Sequence, residues 1–435
     1  MSRRSGSLER FMEVNRIPAS RVDVPRLCQS FRQEMIRGLE GRPSSLPMIP
    51  TFIETSREVP RGEKVIALDA GGTNLRVAVV SFDPSGKPVI EDLARHRMPG
   101  VDEELGKEEF FRRMAGFVLP FAGRADRIGF CFSYAVEMMP DKDGKLLHFS
   151  KEIKAPGVTG QLIGGTLRLA LAQGGFRDPP RIVLLNDTVA TLLTGRNALP
   201  GRRFDGFIGL VCGTGINAAY VESNANISKI PGLDASGSQI INTESGSFGG
   251  TFGKVDDEYD STTAVPGTYR HEKAISGAYL SALCLFTAQR AARAGCLSAE
   301  AERGLERVPS LSGRELNDFL LYPDGDNPLG AVCGRVPAED ARALYRLCDA
   351  LVERAAALVA MNFCALVLKT DKGRDPRYPI CITADGTTFW QLRSFRMRVE
   401  SHMRAFLAGK NERAWEITSV DDAPLLGAAI AALTN

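Results

Sequence analysis

The sequence predicts an α/β protein built from mixed sheets covered by helices. A strand followed by a turn rich in Gly, Thr and Asp recurs three times. Strand-like and helix-like stretches alternate along all 435 residues, with no low-complexity linker between the halves. The three copies read VIALDAGGTNLRVAVV from Val65, FIGLVCGTGINAAYV from Phe207 and ICITADGTTFW from Ile380. In each, β-branched and apolar runs flank residues that tolerate positive φ or hydrogen-bond through a hydroxyl, the signature of a hairpin. Three hairpins of one design imply related halves.

Residues 8 to 40 place Phe11, Leu27, Phe31 and Met35 at helix-compatible spacing, and the Pro- and Ser-rich segment from Pro43 to Pro60 reads as extended. After the first hairpin come an amphipathic helix around Glu103 to Leu119, a strand from Arg127 to Phe132 and a charged loop. An approach loop and helix follow from Lys151 to Gln173. A short buried strand from Arg181 to Leu185 ends in Asn186-Asp187-Thr188, where a helix starts. The second half repeats the programme. Its hairpin is followed by an irregular Gly/Ser-rich stretch through Gly253, then by helices from Glu272 to Ala294 and from Ala338 to Val367. The last hairpin precedes helices from Phe395 to Leu407 and from Ala423 to Leu433, with a strand around Ile417 between them. Long loops between such elements are where binding groups gather.

Length gives a prior of about three domains, met equally well by two large lobes. With 44% hydrophobic and 24% charged residues the chain is neither disordered nor fibrous. Lys and Arg total 54 against 52 acidic residues, a net charge of +2, so no global field argues for nucleic acid and a small partner is expected. Nine cysteines lie in mostly apolar strings with no C-x-x-C pair, as expected of buried thiols in a reducing compartment. The N-terminal MSRRSGSLERFMEV has no apolar stretch behind its basic residues, so a cleaved secretory signal is not expected and a cytoplasmic location is. The apolar run from Ala355 to Leu368, interrupted by Asn362, reads as a buried core helix and not as a membrane span.

Backbone N–H groups of a tight glycine turn can converge on phosphate oxygens, because no Cβ blocks the approach, and a Thr adds a hydroxyl donor. Gly71-Gly72-Thr73-Asn74 and Gly213-Thr214-Gly215 fit that use, and each fits a plain hairpin turn as well. Asp69, just ahead of the first turn, is placed to reach a phosphate-bound Mg²⁺. Arg76 suits either neutralisation of transferring charge or an ordinary surface position. Asn186-Asp187-Thr188 is either a helix N-cap or the seat of a general base, Asp187, held rigidly at a strand end. Glu244 and Glu272, with Asn217 and Asn242, suit a polyhydroxylated substrate.

Rival signatures fail. No G-x-x-x-x-G-K-[ST] string exists, which excludes a Walker-type loop. Gly213-x-Gly215-x-x-Ala218 matches a loose dinucleotide fingerprint, but strand-like Ala219-Tyr220-Val221 follows where that fold needs a helix. His96, His148, His271 and His402 are scattered and form no zinc motif. The basic segment with Arg393, Arg396, Arg398 and Arg404 reads as a solvated face.

Taken together, these residues resemble the hexokinase family, within the two-lobed actin-like ATPase (ribonuclease-H-like) fold with a substrate cleft between the lobes. SSLPMIPTF from Ser44 and LDAGGTNLRV from Leu68 carry the likeness most specifically. Phe132-Ser133-Tyr134, Ser150-Lys151, Leu185-Asn186-Asp187-Thr188-Val189, Gly213-Thr214-Gly215-x-Asn217, Ile241-Asn242-Thr243-Glu244 and Glu272-Lys273-x-Ile275-Ser276-Gly277 follow in the family's order. The resemblance implies ATP and Mg²⁺ as cofactors, a hexose as substrate and Asp187 as base on its 6-hydroxyl. It implies Ser133, Ser150, Lys151, Asn186, Asn217, Glu244 and Glu272 as sugar-binding groups, with Lys151 also stabilising developing phosphate charge. Asp69, through water to the metal, Gly71, Gly72, Thr73, Asn74 and Arg76 would hold phosphates from one lobe. Gly213, Thr214 and Gly215 would hold them from the other, with Asp385 and Gly386 lining the nucleotide side. The large lobe would comprise residues 1–60 and 188–420, and the small lobe 61–187 and 421–435.

The chain departs from the family pattern beside the sugar site, with Ser245 for the usual Trp, Ala135 for Pro and Glu152 for Gly, and residues 297–336 show no clear adenosine string. A kinase of a different sugar and a non-catalytic hexose sensor stand as the rival functions. The simultaneous presence of Asp187, Asp69 and Lys151 argues against the sensor, since a pure binder needs no base.

Overall fold

A computed structural model describes residues 3–149, 153–198, 201–250 and 252–435. Its strands are β1 (Ile49–Pro50), β2 (Val65–Gly71), β3 (Asn74–Phe82), β4 (Pro88–Arg97), β5 (Ile128–Phe132), β6 (Ala135–Met138), β7 (Gly144–His148) and β8 (Ile182–Leu185) in the first half. The second half adds β9 (Gly206–Cys212), β10 (Ile216–Ser223), β11 (Ser238–Asn242), β12 (Ile380–Asp385) and β13 (Trp415–Thr418).

Two large sheets repeat one plan. The first runs β4-β3-β2-β5-β8, and the second runs β11-β10-β9-β12-β13 with β1 added at the β11 edge. In both, the first three strands in chain order form an antiparallel meander, and the last two join it in parallel. The buried runs Val65–Ala70 and Ile128–Phe132 are apolar on both faces except at Asp69, as expected of strands covered on both sides.

The helices Asp187–Ala198 and Ala423–Thr434 pack on each other between the sheets. The former lies on β9 and β12, the latter on β2 and β5. Val189, Ala190, Leu192 and Leu193 meet Leu425, Ala428, Ala429 and Ala432 in one apolar cluster that reaches Ala67 and Ala219 of the two sheets. A second cluster fills the outer side of the first sheet around Phe110, Phe130, Phe132 and Leu167. The largest is centred on the helix Ala338–Thr370. That helix, at 33 residues, is long and apolar enough to cross a bilayer, yet 89% of its most apolar window is buried against other helices. It is a core helix, as the interrupted apolar run suggested.

The first two turns are hairpins, but the third is not. β12 ends at Asp385, and Gly386 leads directly into the helix Thr387–Gln391. Both neighbours of β12 are parallel to it, so the chain must leave the sheet through a crossover and cannot fold straight back. The charged loop expected after Phe132 contains the two-stranded sheet β6/β7, and the Gly/Ser-rich stretch contains β11. The helix expected from Glu272 to Ala294 is broken into Arg270–Lys273 and Leu280–Arg293. Between them the N–H groups of Gly277 and Ala278 turn away to donate to the carbonyls of Gly213 (2.8 Å) and Thr214 (3.2 Å). The arginine-rich helix Phe395–Phe406 is more than a solvated face. Arg398 is largely buried and pairs with Asp349 (2.5 Å) and Glu353 (3.1 Å).

Candidate active site

Parallel pairing sets the first group of residues at one end of the first sheet. Asp69 on β2 lies opposite Cys131 on β5, and Cys131 lies opposite Leu185 at the end of β8, two residues before Asp187. The Cys131 thiol is fully buried, and burial together with the charges of Asp69 and Asp187 pushes its pKa well above the usual thiol value. The carboxylates of Asp69, on β2, and of Asp187, which opens the helix after β8, both act on that one thiol. Ser133 follows directly, half-buried, its hydroxyl 3.7 Å from the Cys131 sulfur. The cap and base roles considered for Asn186-Asp187-Thr188 fall to different residues. Asn186 Oδ1 accepts from the Val189 N–H (2.9 Å) as a cap, and Asp187 opens the helix with Thr188 Oγ1 donating to it (3.1 Å).

The second sheet supplies an amide and carboxylate cluster. Asn217 on β10 and Asn242 at the end of β11 are joined by a 2.7 Å hydrogen bond, and both amides donate to Glu244 Oε1, at 3.3 and 2.7 Å. Glu244 takes a left-handed φ of 54°, which for a non-glycine residue marks a backbone held by its surroundings. Burial raises its pKa, the two amides oppose the rise, and the Asp187 charge adds to it. Glu272 accepts from the Ile216 N–H (3.0 Å), and its pKa is raised by burial and then by the charge of Glu244. Charge thus couples Asp187 to Glu244 and Glu244 to Glu272, while Asp69 and Asp187 both act on Cys131.

The first turn is a two-residue loop in which Gly71 pairs with Asn74 and Gly72 has φ 70° while Thr73 keeps negative φ, the pattern of a II′ hairpin. The Tyr134 hydroxyl donates to the Gly72 carbonyl (2.5 Å), and Met98 N–H to that of Thr73 (2.9 Å). Gly71 and Asn74 are exposed, and Gly72 and Thr73 are half-buried. Burial and the nearby Asp69 push the Tyr134 pKa up.

In the second turn neither Gly213 nor Gly215 has positive φ, and at Gly215 the missing Cβ allows a close approach. A Cβ on Gly215 would lie 2.6 Å from the Glu272 carboxylate. A Cβ on Gly386 would lie 2.3 Å from the Cys212 carbonyl oxygen, so the second and third turns abut through bare backbone. Thr214 is exposed at the tip. The carbonyl of Gly213 accepts from Thr388 Oγ1 (2.9 Å), which fixes the helix after Gly386 against that turn.

Arg76 joins the first turn to the far end of the chain. It donates to Asp69 (2.9 Å) and to Asp422 (2.5 Å), and with Asp385 it lines a cavity of about 360 Å³ walled by Trp390 and Ser419–Pro424. Burial works against its charge, yet the two carboxylates raise its pKa above the ordinary arginine value. Ser150, Lys151 and Glu152 lie outside the described residues. Phe149, just before them, stacks edge-on against Tyr134 with ring centroids 5.1 Å apart.

Three site residues escape sequence reasoning. Tyr134 stands in the sequence only as part of a motif string. Tyr269, at left-handed φ 51°, has its pKa raised by burial and by Glu244 and Glu272, which places it beside both. Asp422 carries a local helix-start signal and nothing that announces Arg76, 346 residues away. Among the described residues no cluster of three or more His, Cys, Asp or Glu side chains is arranged to hold a metal by itself.

Two family models described as hexokinase match residues 8–197 and 207–434, together most of the chain. Hexokinase-3 of Mus musculus is 29% identical over 381 residues, covering 82% of this chain and 40% of the relative. Hexokinase-1 of Schizosaccharomyces pombe is 29% identical over 368 residues, 80% of this chain and 75% of the relative. Hexokinase-7 of Oryza sativa subsp. japonica is 27% identical over 454 aligned positions, 96% of this chain and 94% of the relative. The chain thus spans about two fifths of the mammalian relatives and nearly all of the rice one. In fold, the hexokinase of Schistosoma mansoni complexed with glucose superposes with a TM-score of 0.79 over the whole of both chains at 24% identity. A second hexokinase crystal structure gives 0.77 at 21% identity, over 98% and 99% of the two chains.

Two mixed sheets of one topology, with a helix pair packed between them, define an actin-like ATPase fold. Within that class the chain belongs to the hexokinase family.

Proposed function

We propose that the protein transfers the γ-phosphoryl group of ATP to the 6-hydroxyl of glucose or a close hexose. The observation that carries this is the position of Asp187, whose charge is felt both at Cys131 beside Asp69 and at Glu244 in the amide cluster. A base placed between the phosphate-side carboxylate and the sugar-side carboxylates suits removal of a hydroxyl proton during in-line transfer.

In this mechanism Glu244, Glu272, Asn217, Asn186 and Ser133, with Ser150 and Lys151, bind the sugar hydroxyls and orient the 6-hydroxyl toward Asp187. Raised carboxylate pKa values at Glu244 and Glu272 suit groups awaiting hydroxyl donors, because bound hydroxyls stabilise the buried charges. Thr73, Asn74 and the N–H groups of Gly71 and Gly72 hold phosphate oxygens from one sheet, and Gly213, Thr214, Gly215, Asp385 and Gly386 hold the nucleotide from the other. Arg76 and Lys151 neutralise charge on the group in transfer. Asp69 is a buried oxygen donor at a strand end, a fit for Mg²⁺ held through water, since that ion keeps several waters and uses one or two carboxylates beside phosphate. Mg²⁺ when bound supplies charge neutralisation on the phosphates.

The same proposal takes residues 1–60 with 188–420 as the large lobe and 61–187 with 421–435 as the small lobe, with the sugar between them. Closure on the sugar would exclude water, a smaller competing acceptor. Nine free, buried cysteines support a reducing, cytoplasmic setting. Both small-molecule partners follow from the site.

Asp187→Ala tests the assignment. Turnover of glucose with MgATP is expected to fall by about 10²-fold or more while calorimetric glucose binding survives. Near-normal turnover in the variant removes Asp187 from the mechanism. If the wild-type chain binds hexose and releases no ADP with any sugar of a panel, the sensor function replaces the kinase.

A further inference from the structure

Asp422 sits at the N-cap of the helix Ala423–Thr434, where an aspartate ordinarily accepts from the first free N–H groups, yet it makes no such bond. It is held instead at a left-handed φ of 55° and turns its carboxylate to the Arg76 guanidinium at 2.5 Å. The same guanidinium reaches Asp69, directly opposite it across the β2/β3 ladder, at 2.8–2.9 Å. One arginine is thus divided between the carboxylate proposed to hold the metal and a carboxylate from the end of the chain.

We infer that Asp422 is a positioning residue for nucleotide binding: by taking Nη1 while Nε and Nη2 stay on Asp69, it holds the Arg76 guanidinium at the 360 Å³ cavity and keeps it paired when Asp69 turns to the metal. The inference rests on the proposed MgATP site. Two features of the cavity point the same way. Arg76 is the single cationic side chain among its described lining residues, against Asp385, Asp421 and Asp422. A polyphosphate entering the cavity meets three carboxylates and one guanidinium, and complexation with a metal lowers that repulsion. Further, Asp422 begins the helix that packs on β2 and β5 and against the helix opened by Asp187. The position of Arg76 is thereby tied to the element that carries the proposed base. Without Asp422, the guanidinium has Asp69 as its only partner of the two, and a metal that draws on that carboxylate would leave Arg76 without either.

Calorimetric titration of the full chain with MgADP, at several free Mg²⁺ concentrations, tests this on Asp422→Ala, Asp422→Asn, Arg76→Ala and the double variant Arg76→Ala/Asp422→Ala. Asp422→Ala is expected to weaken MgADP binding about tenfold and to raise the Mg²⁺ needed for half-maximal binding, with glucose affinity unchanged. Asp422→Asn, which keeps an acceptor oxygen, should restore part of the loss. In the Arg76→Ala background the Asp422 change should have no further effect. A merely structural role would lower thermal stability without moving the Mg²⁺ requirement. Wild-type MgADP binding with equal affinity and Mg²⁺ dependence in Asp422→Asn and Asp422→Ala overturns the inference, as does full additivity in the double variant. No MgADP binding by the wild-type chain overturns the proposed nucleotide site itself, and the inference with it.

Discussion

Replacing Gly386 by Ala would drive a methyl group into backbone from another strand. The added Cβ would stand 2.3 Å from the Cys212 carbonyl oxygen, 2.4 Å from its carbonyl carbon and 2.7 Å from the Gly213 nitrogen. Non-bonded carbons rest roughly 3.5 Å apart, so the two turns must separate by about 1 Å. They cannot do so cheaply, because β9 and β12 are hydrogen-bonded neighbours up to Val211 and Asp385. The φ of 112° at Gly386 adds a backbone penalty for any L side chain. Overpacking of this kind costs about 1–3 kcal/mol and the dihedral about 1–3 kcal/mol more, for a total of about 2–6 kcal/mol. Gly123→Ala is the control, with φ 77° and nothing within 4 Å of the place its methyl would occupy, so that it bears the dihedral penalty alone. Differential scanning calorimetry should place the Gly386→Ala transition at least about 2 °C below that of Gly123→Ala, from the overpacking of about 1–3 kcal/mol at about 2–4 °C per kcal/mol. MgADP affinity should fall with it, since the turn bearing Thr214 is displaced. Coincident melting of the two variants would show that the turns are not rigidly apposed, and the account of how they share the nucleotide would fail.

Two further outcomes follow from buried charge. Arg354, on the long core helix, makes a bidentate pair with Asp256 of the helix Lys254–Asp260 (2.9 and 2.6 Å), and both are almost fully buried. Arg354→Met strands that carboxylate and should cost about 3–5 kcal/mol in denaturant unfolding, part of it recovered by adding Asp256→Asn, and a loss below about 1 kcal/mol would contradict the pairing. Glu272 has a folded pKa above the ordinary carboxylate value of 4.5, so the folded state binds its proton more tightly than the unfolded chain. Stability without sugar therefore declines as pH rises from the unfolded value through the folded one. Glu272→Gln keeps an acceptor for the Ile216 N–H and removes the charge. It should raise the melting temperature at pH 7 relative to wild type, with the gain vanishing at acid pH and glucose affinity falling. A variant less stable than wild type at neutral pH would refute this.

The chain itself determined the two hairpin turns, the strand end that carries Asp187, the buried character of the helix around Asn362 and the order of elements. Those features rest on local rules: alternation of apolar residues, glycine where φ turns positive, and side-chain oxygens where helices begin. The structure overruled the same rules at Asp385-Gly386, because a strand-ending turn does not state whether the next segment returns or crosses over. That is decided by the parallel neighbours β9 and β13. It also broke the helix after Lys273, whose backbone is drawn to the Gly213 turn by hydrogen bonds between residues distant in sequence. The site shows the same division. Asp69, Asn217, Glu244 and Glu272 were legible as residue types in turns and strand ends, whereas Tyr134, Tyr269 and Asp422 were not. Their roles come from neighbours supplied by other elements. Local sequence can specify a strand, a turn and a carboxylate, but which carboxylate shares an arginine 346 residues away is decided only when two sheets and the helix pair between them have packed.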